Sequence, residues 1–325
     1  MNLFVTGATG FIGKRVVTQL LKNHHTVTAL LIPGEPEEGM EGCAISRGDI
    51  TKPETLSGVM SGSEAVIHLA GAVGYGQTMA RCLAINRDGT RNIAVESTRS
   101  GVRRFIHMSS VSVYGRRADV PIDENSPRQK IGDPYGDTKI DAELILQDLE
   151  RQKTLELTIV RPTVIYGPGD VLFLPKLVEN LRGGQARMIG SGANTVDLIH
   201  VDDVAEFFTI LLANRKSIGR IYNLTHPTNP TWKEMLNFVT AELELPPVEA
   251  NLPYPAAYLL AALLEFFYSF KTTPPRLTRY SVRVAGRQYK YLTRRACEEL
   301  GYTPKIALFD GLRGCLAPFK KGLRR

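Results

Sequence analysis

The chain is poor in the features that mark secreted, metal-bound or membrane-spanning proteins. Only four cysteines occur in its 325 residues, at positions 43, 82, 297 and 315. Their spacing offers neither a disulfide framework nor a set of metal ligands, so we expect a reducing compartment and no metal site. No basic segment followed by an apolar core opens the sequence, and residues 2–5 read better as a first strand; a cytoplasmic location is the expectation. Repeats and low-complexity tracts are absent. The one strongly apolar run, PAAYLLAALLEFFYSF at 255–270, is shorter than the ~20 residues needed to cross a bilayer and contains Glu265. Two readings of it stand: a buried helix, or an apolar cover over a lipid-sized pocket that dips into a membrane interface.

Charge excludes little. A net charge of +7 fits a solvated surface, and no nucleic-acid partner is expected. Lys320, Lys321, Arg324 and Arg325, beside Phe319 and Leu323, read as a soluble tail, with peripheral contact to an anionic membrane as the alternative. With 43% hydrophobic and 22% charged residues the composition is that of an ordinary globular protein.

What is present begins with TGATGFIG at residues 6–13. Apolar Leu3, Phe4 and Val5 precede it, and Val16, Val17, Leu20 and Leu21 follow at helical spacing, so it reads as strand, glycine turn and helix. Gly7, Gly10 and Gly13 allow a tight turn and close backbone approach, and the positive helix end suits a pyrophosphate. Further strand-like runs (TVTALL, AVIHLAG, RFIHMSSVSVYG, LELTIVRPTVIYG) alternate with helical blocks, one of them around 85–99. That alternation predicts an α/β fold with a doubly wound parallel sheet, binding ligands at the carboxyl ends of its strands. In LIHVDDVAEFFTILL, Asp202 or Asp203 reads as a helix N-cap, with Val204, Phe207, Phe208, Leu211 and Leu212 on one face. Prolines become dense from about residue 227, which marks a smaller lobe. The expected division is 1–166 with 196–226 for the sheet domain, and 167–195 with 227–325 for a substrate-binding lobe.

The segment DPYGDTK at 133–139 carries the most chemistry. Asp133 suits an N-cap and Pro134 the first helical position, which places Tyr135 in the first turn and Lys139 about 6 Å further along the same face. A tyrosine acting as a base near neutrality needs its pKa lowered by roughly 3 units, and a neighbouring cation, a hydroxyl donor and the helix end all push that way. A serine of HMSSVSVYG would supply the hydroxyl. Strand alternation favours Ser110, with Ser109 and Ser112 as competitors.

Taken together, GATGFIG, GDI (48–50), HLAG (68–71), NRDGT (86–90), SSVSVYG (109–115), YGDTK (135–139), RPTVIYGPGD (161–170), HVDDVA (200–205) and ELGYTP (299–304) resemble the extended short-chain dehydrogenase/reductase superfamily in order and spacing. The resemblance implies a Rossmann domain with NAD or NADP as cofactor. Gly7, Gly10 and Gly13 would meet the pyrophosphate, Asp49 and Ile50 the adenine, and Ala70 and Gly71 the cofactor wall. Thr9, Phe11, Ile12, Leu31, Leu69, Asn86, Pro162 and Val164 would complete its contacts. Ser110 would orient the reacting oxygen, Tyr135 would act as acid/base, and Lys139 would hold the nicotinamide ribose.

Dehydratases of that superfamily carry an Asp-Glu pair where Val111 and Ser112 stand here, and sugar epimerases commonly have asparagine at the place of Thr163. The pattern is similar to the branch with 3β-hydroxysteroid dehydrogenases, sterol 4α-carboxylate 3-dehydrogenases and reductases of long-chain 3-oxo acids. The expected activity is interconversion of a secondary alcohol and a ketone on a bulky hydrophobic substrate, by a homodimer. A nucleotide-sugar 4-epimerase is the alternative, with Arg276, Arg279, Arg283 and Arg287 as a diphosphate site instead of a solvated face. A non-catalytic dinucleotide-binding protein is a third reading. Leu31 stands where an acid would select NAD, which leaves the cofactor preference open; Lys14, Arg15 and Arg47 are candidates to reach a phosphate.

Overall fold

A computed structural model of the chain describes residues 1–74, 76–115, 120–268 and 277–320. At its centre lie seven strands: β1 (Asn2–Thr6), β2 (Thr26–Leu31), β3 (Ala44–Arg47), β4 (Ala65–His68), β5 (Arg104–Met108), β6 (Glu156–Pro162) and β7 (Arg220–Leu224). They pair in the order β7-β6-β5-β4-β1-β2-β3, all parallel. β4 and β5 are buried along their whole length, as expected of strands covered on both faces. On one face, helices α1 (Phe11–Lys22) and α5 (Val201–Ala213) bury Val16, Val17, Leu20, Phe207 and Phe208. On the other, α2 (Thr90–Arg99) and α3 (Pro134–Arg151) bury Ile93, Ala94 and Leu146. The strand order reverses between β1 and β4, so the turns leaving those two strands frame the crevice where such sheets bind ligands.

Helix α2 continues a wide π-helical segment, Leu83–Gly89, that follows a first turn at Met79–Cys82. Outside the sheet, α4 (Leu174–Arg182), α6 (Trp232–Glu242) and α10 (Leu308–Lys320) share a core around Tyr166, Met235, Val239 and Leu312. Helices α7 (Tyr254–Tyr268) and α8 (Arg279–Gly286) pack on each other through Ala257, Ala261 and Val282, and α9 (Arg294–Leu300) lies beside β7.

Two expectations are corrected. The cap of α5 is His200, whose Nδ1 accepts the Asp202 N–H at 3.2 Å; Asp203 instead accepts the Lys305 N–H at 2.7 Å. The apolar segment from 255 is not a buried helix, since only Ala257 and Ala261 of α7 are fully covered. Residues 269 and 270 of that segment, Arg276, and Lys321, Leu323, Arg324 and Arg325 lie outside the described residues. Among the described residues no helix is long and apolar enough to cross a membrane.

Candidate active site

Packing dictates two of the three turn glycines. Gly7 has a φ of +69°, and a side chain on it would stand 2.7 Å from the Ala70 nitrogen. A side chain on Gly13 would reach within 2.0 Å of the Gly7 oxygen, so its absence seats α1 on the turn. Gly10 is exposed and is the N-cap of α1, with no side chain closing that helix end. The first-turn N–H groups there, with the helix dipole behind them, fit a pyrophosphate.

The ribose side departs from expectation. Leu31 is 0% exposed and packs in the main core, so its side chain meets no ligand. Glu35, which sequence reasoning missed, brings its carboxylate to this place. It accepts the Thr9 hydroxyl at 2.5 Å and the Ile32 N–H at 2.9 Å, joining the glycine turn to the end of β2. The Arg47 guanidinium donates to the Ile32 and Glu35 carbonyls and pairs with Glu37, which occupies it within the protein. Asp49 accepts both the N–H and the hydroxyl of Thr51, shaping the turn after β3, and Ile50 is buried against Gly89.

At the end of β4 a buried chain of polar groups fixes the crevice wall. The Thr6 hydroxyl meets His68 Nδ1 at 2.7 Å, His68 Nε2 meets the Thr90 hydroxyl at 2.9 Å, and Thr90 donates to the Asn86 carbonyl at 2.6 Å. Because Thr90 spends its proton on Asn86, His68 carries its own on Nε2. Burial, with Lys139 adding to it, lowers the His68 pKa to about 3, so the ring is neutral. Asn86 accepts the Ala72 N–H at 2.7 Å and donates to the Ala72 carbonyl and the Thr138 hydroxyl, both at 3.1 Å. Asn86 therefore braces the loop after β4 against α3, with its amide engaged by protein groups. Its position in a π segment agrees with the habit of such segments to sit at functional sites.

The candidate catalytic residues converge where β5 ends and α3 begins. Asp133 caps α3 by accepting the Gly136 N–H at 2.8 Å, and Pro134 is the first helical residue. Lys139 is buried and donates from Nζ to the Met108 carbonyl at 2.7 Å, at the last residue of β5. A side chain on Gly71 would lie 3.4 Å from that ammonium and 3.3 Å from Asn86 Oδ1, so only glycine leaves this approach open. Ser110 donates to the Ser112 hydroxyl at 3.0 Å and accepts its N–H at 3.1 Å. Ser109 faces the other way, donating to Glu143 at 2.6 Å, which removes it as a competitor.

Electrostatics correct one expectation. Burial pushes the Tyr135 phenol up to about 12, although the Ser110 hydroxyl pulls it back, so in the protein alone Tyr135 is a neutral proton donor at neutral pH. Burial also lowers Lys139 to about 8, against the opposing pull of Glu143. The expected depression of the tyrosine by Lys139 is not found: beside burial, the groups that act on the phenol are Ser110, Asp133 and Cys82.

Beneath these groups lies a buried network. Arg161 donates from Nε and Nη2 to the two oxygens of Glu143 at 2.8 and 2.6 Å, and from Nη1 to the Tyr114 hydroxyl at 2.8 Å; Tyr114 donates to Asn223 at 2.7 Å. Arg128 adds a contact to Glu143 at 3.0 Å. Burial alone would raise the Glu143 carboxyl, but Arg161, Ser109 and Arg128 outweigh it and hold it below the usual range. The signal was available: Tyr135, Lys139 and Glu143 recur every four residues on one helix face.

Of the arginine series, Arg279 pairs with Glu265 at 2.5 Å and Arg287 stacks on the Tyr254 ring at 5.0 Å.

Comparison with known proteins agrees with this geometry. Residues 3–225 match the model of the NAD dependent epimerase/dehydratase family. The 2-alkyl-3-oxoalkanoate reductase of Stenotrophomonas maltophilia is 28% identical over 325 residues, covering 96% of this chain and 98% of the relative. The mouse sterol-4-alpha-carboxylate 3-dehydrogenase, decarboxylating, is 28% identical over 330 residues, covering 97% and 90%. Among solved structures, that of gox2253 superposes with a TM-score of 0.81 at 27% identity, over 99% of this chain and 98% of that one.

Proposed function

Because the chain belongs to the NAD dependent epimerase/dehydratase family, we propose that it is a nicotinamide-dependent oxidoreductase interconverting a ketone and a secondary alcohol on a lipid-like substrate. The observation that supports this reading is the junction of β5 and α3, where the Ser110 hydroxyl bonds the Tyr135 phenol and Lys139 donates to the carbonyl of Met108, the last residue of β5. Bound nicotinamide supplies or accepts the hydride. The Ser110 hydroxyl holds the substrate oxygen and the neutral Tyr135 phenol delivers a proton to it, which suits the reductive direction. Lys139, fixed by the Met108 carbonyl, presents its remaining N–H donors toward the crevice at Gly71.

Two observations support a hydrophobic substrate. Val73, Val171 and Leu172 are exposed on the loops that follow β4 and strand Val164–Tyr166, and Leu172 lies against Gly74. The names of both relatives also describe a carboxylate on the carbon next to the oxygen-bearing one, so a 3-oxo or 3-hydroxy lipid acid is the substrate class we favour. Val111 and Ser112 offer no acid for a dehydration. Glu35 takes the part of the ribose-binding acid and favours NAD, because its carboxylate would repel the phosphate of NADP while Arg47 is engaged elsewhere. A homodimer completes this reading.

The test is to mix protein and NADH, or NADPH, with a 2-alkyl-3-oxo acid, and NAD+ with a 3β-hydroxysterol or a 4-carboxylated sterol, following absorbance of the reduced cofactor. Turnover with one of these lipids is the expected result. Silence with all of them, together with conversion of a UDP-hexose to its epimer, would overturn it in favour of an epimerase.

A further inference from the structure

Arginines recur every fourth residue along α8, at Arg279, Arg283 and, just past the helix end, Arg287. Helix α7 takes the outer two: Glu265 pairs with Arg279, and the Tyr254 ring lies under Arg287. The middle one, Arg283, is half-buried, yet its side chain makes no hydrogen bond or ion pair with any described residue. A guanidinium partly withdrawn from water with its donors unspent is a costly arrangement unless something else accepts them.

The fold brings this cation to the candidate active site. After α8 the chain runs through Tyr289 to the strand Lys290–Tyr291, which pairs with Pro121–Ile122. Tyr289 and Tyr291 pack with Val111, Val113, Tyr114 and Ile140, which belong to the turn after Ser110 and to the helix position after Lys139. The segment leaving α8 is thereby docked on the two elements that carry Ser110, Tyr135 and Lys139. Arg283 itself faces Asp133, two residues before Tyr135: burial raises the Asp133 carboxyl, and the charge of Arg283 is among the influences that oppose it. No hydrogen bond joins the pair, and Asp133 turns its Oδ2 to the Gly136 N–H as the cap of α3.

A 3-oxo or 3-hydroxy acid carries its carboxylate two bonds from the carbon whose oxygen Ser110 and Tyr135 hold. That brings a second anion close to Asp133, which repels it. Lys139 is already turned to the Met108 carbonyl, whereas a planar guanidinium offers a carboxylate two parallel N–H donors. We propose that Arg283 binds the carboxylate of the substrate, and so selects lipid acids over neutral lipids of the same length. The assignment rests on the substrate class favoured above and adds to it the residue that reads the acid.

The experiment is equilibrium binding, which needs no turnover. Protein saturated with NADH is titrated with 3-hydroxytetradecanoic acid and, separately, with its methyl ester; reduced cofactor and alcohol form no reacting pair. Calorimetry gives the two dissociation constants. Wild type should bind the acid at least about tenfold more tightly than the ester. Arg283→Gln should abolish that preference by weakening the acid alone, with ester and NADH affinity kept, and Arg283→Lys should retain part of it. Wild type with no preference for the acid overturns the proposal, as does Arg283→Gln with the preference intact. A Gln variant that loses acid, ester and NADH together makes Arg283 a partner of Asp133 in shaping the site, and overturns it too. Failure of the ketone–alcohol reading shows differently: no lipid consumes or produces reduced cofactor, while the preference for the acid persists.

Discussion

The α3 region and the α7 region are opposite uses of a helix. In α3 charged residues go inward: Lys139 and Glu143 are buried, each satisfied by a partner placed by another strand or helix. In α7 a stripe of leucines and phenylalanines goes outward, while Ala257, Ala261, the half-buried Tyr254 and Tyr258, and Glu265 turn toward protein. Burial of charge is tolerated where hydrogen bonds from Arg161, Ser109 and Arg128 converge on Glu143. Neither is what composition alone predicts.

The comparison can be broken most sharply at its centre. Tyr135→Phe should lower turnover by roughly 10²–10⁴-fold, the range for a lost general acid. Binding of NADH, followed by its fluorescence, should survive; turnover within a factor of two of wild type would remove Tyr135 from the mechanism.

Next in size is Glu143→Ala, which leaves Arg161 buried without its counter-charge and should cost about 3–5 kcal/mol in denaturant unfolding. The pH dependence follows from sign. The Glu143 carboxyl is held below its ordinary value, so its contribution is whole above the unfolded-state pKa and disappears as pH falls through the lower folded value. The gap between wild type and variant should therefore narrow in acid and stay constant toward neutrality.

A smaller effect tests the ribose side. Glu35→Gln should weaken NADH binding roughly tenfold, the worth of a hydrogen bond to a charged group, while NADPH binding improves. Equal titration curves for variant and wild type with both cofactors would show that Glu35 only joins Thr9 to Ile32. The smallest effect belongs to α7, where Leu263→Ser should change unfolding free energy by about 0.5 kcal/mol or less. A large loss there would mean that the stripe is covered within the protein after all.

Much of the sheet domain was legible because its signals are local. The run from Leu3 to Leu21, with glycines between apolar strand and apolar helix, specifies strand, turn and helix by backbone sterics and periodicity. The cap at Asp133 followed by Pro134 likewise set the start of α3 and the spacing of Tyr135 from Lys139. Leu31 and Glu35 mark where such reasoning ended. Counting along the strand put a ribose-binding side chain at Leu31, which is buried in the core; the carboxylate that reaches the glycine turn comes from Glu35, four residues further on.

What the sequence determined by itself was the alternation of strands and helices, the glycine turn, and the helix bearing Tyr135 and Lys139, since each depends on residues within a few turns of one another. Tertiary structure alone decided that Ser109 serves Glu143 while Ser110 bonds Ser112 and Tyr135, that burial raises the Tyr135 phenol, and that the apolar stripe of α7 faces outward. Those outcomes depend on which distant groups arrive beside a residue and how much water they displace, and neither quantity is written in local spacing.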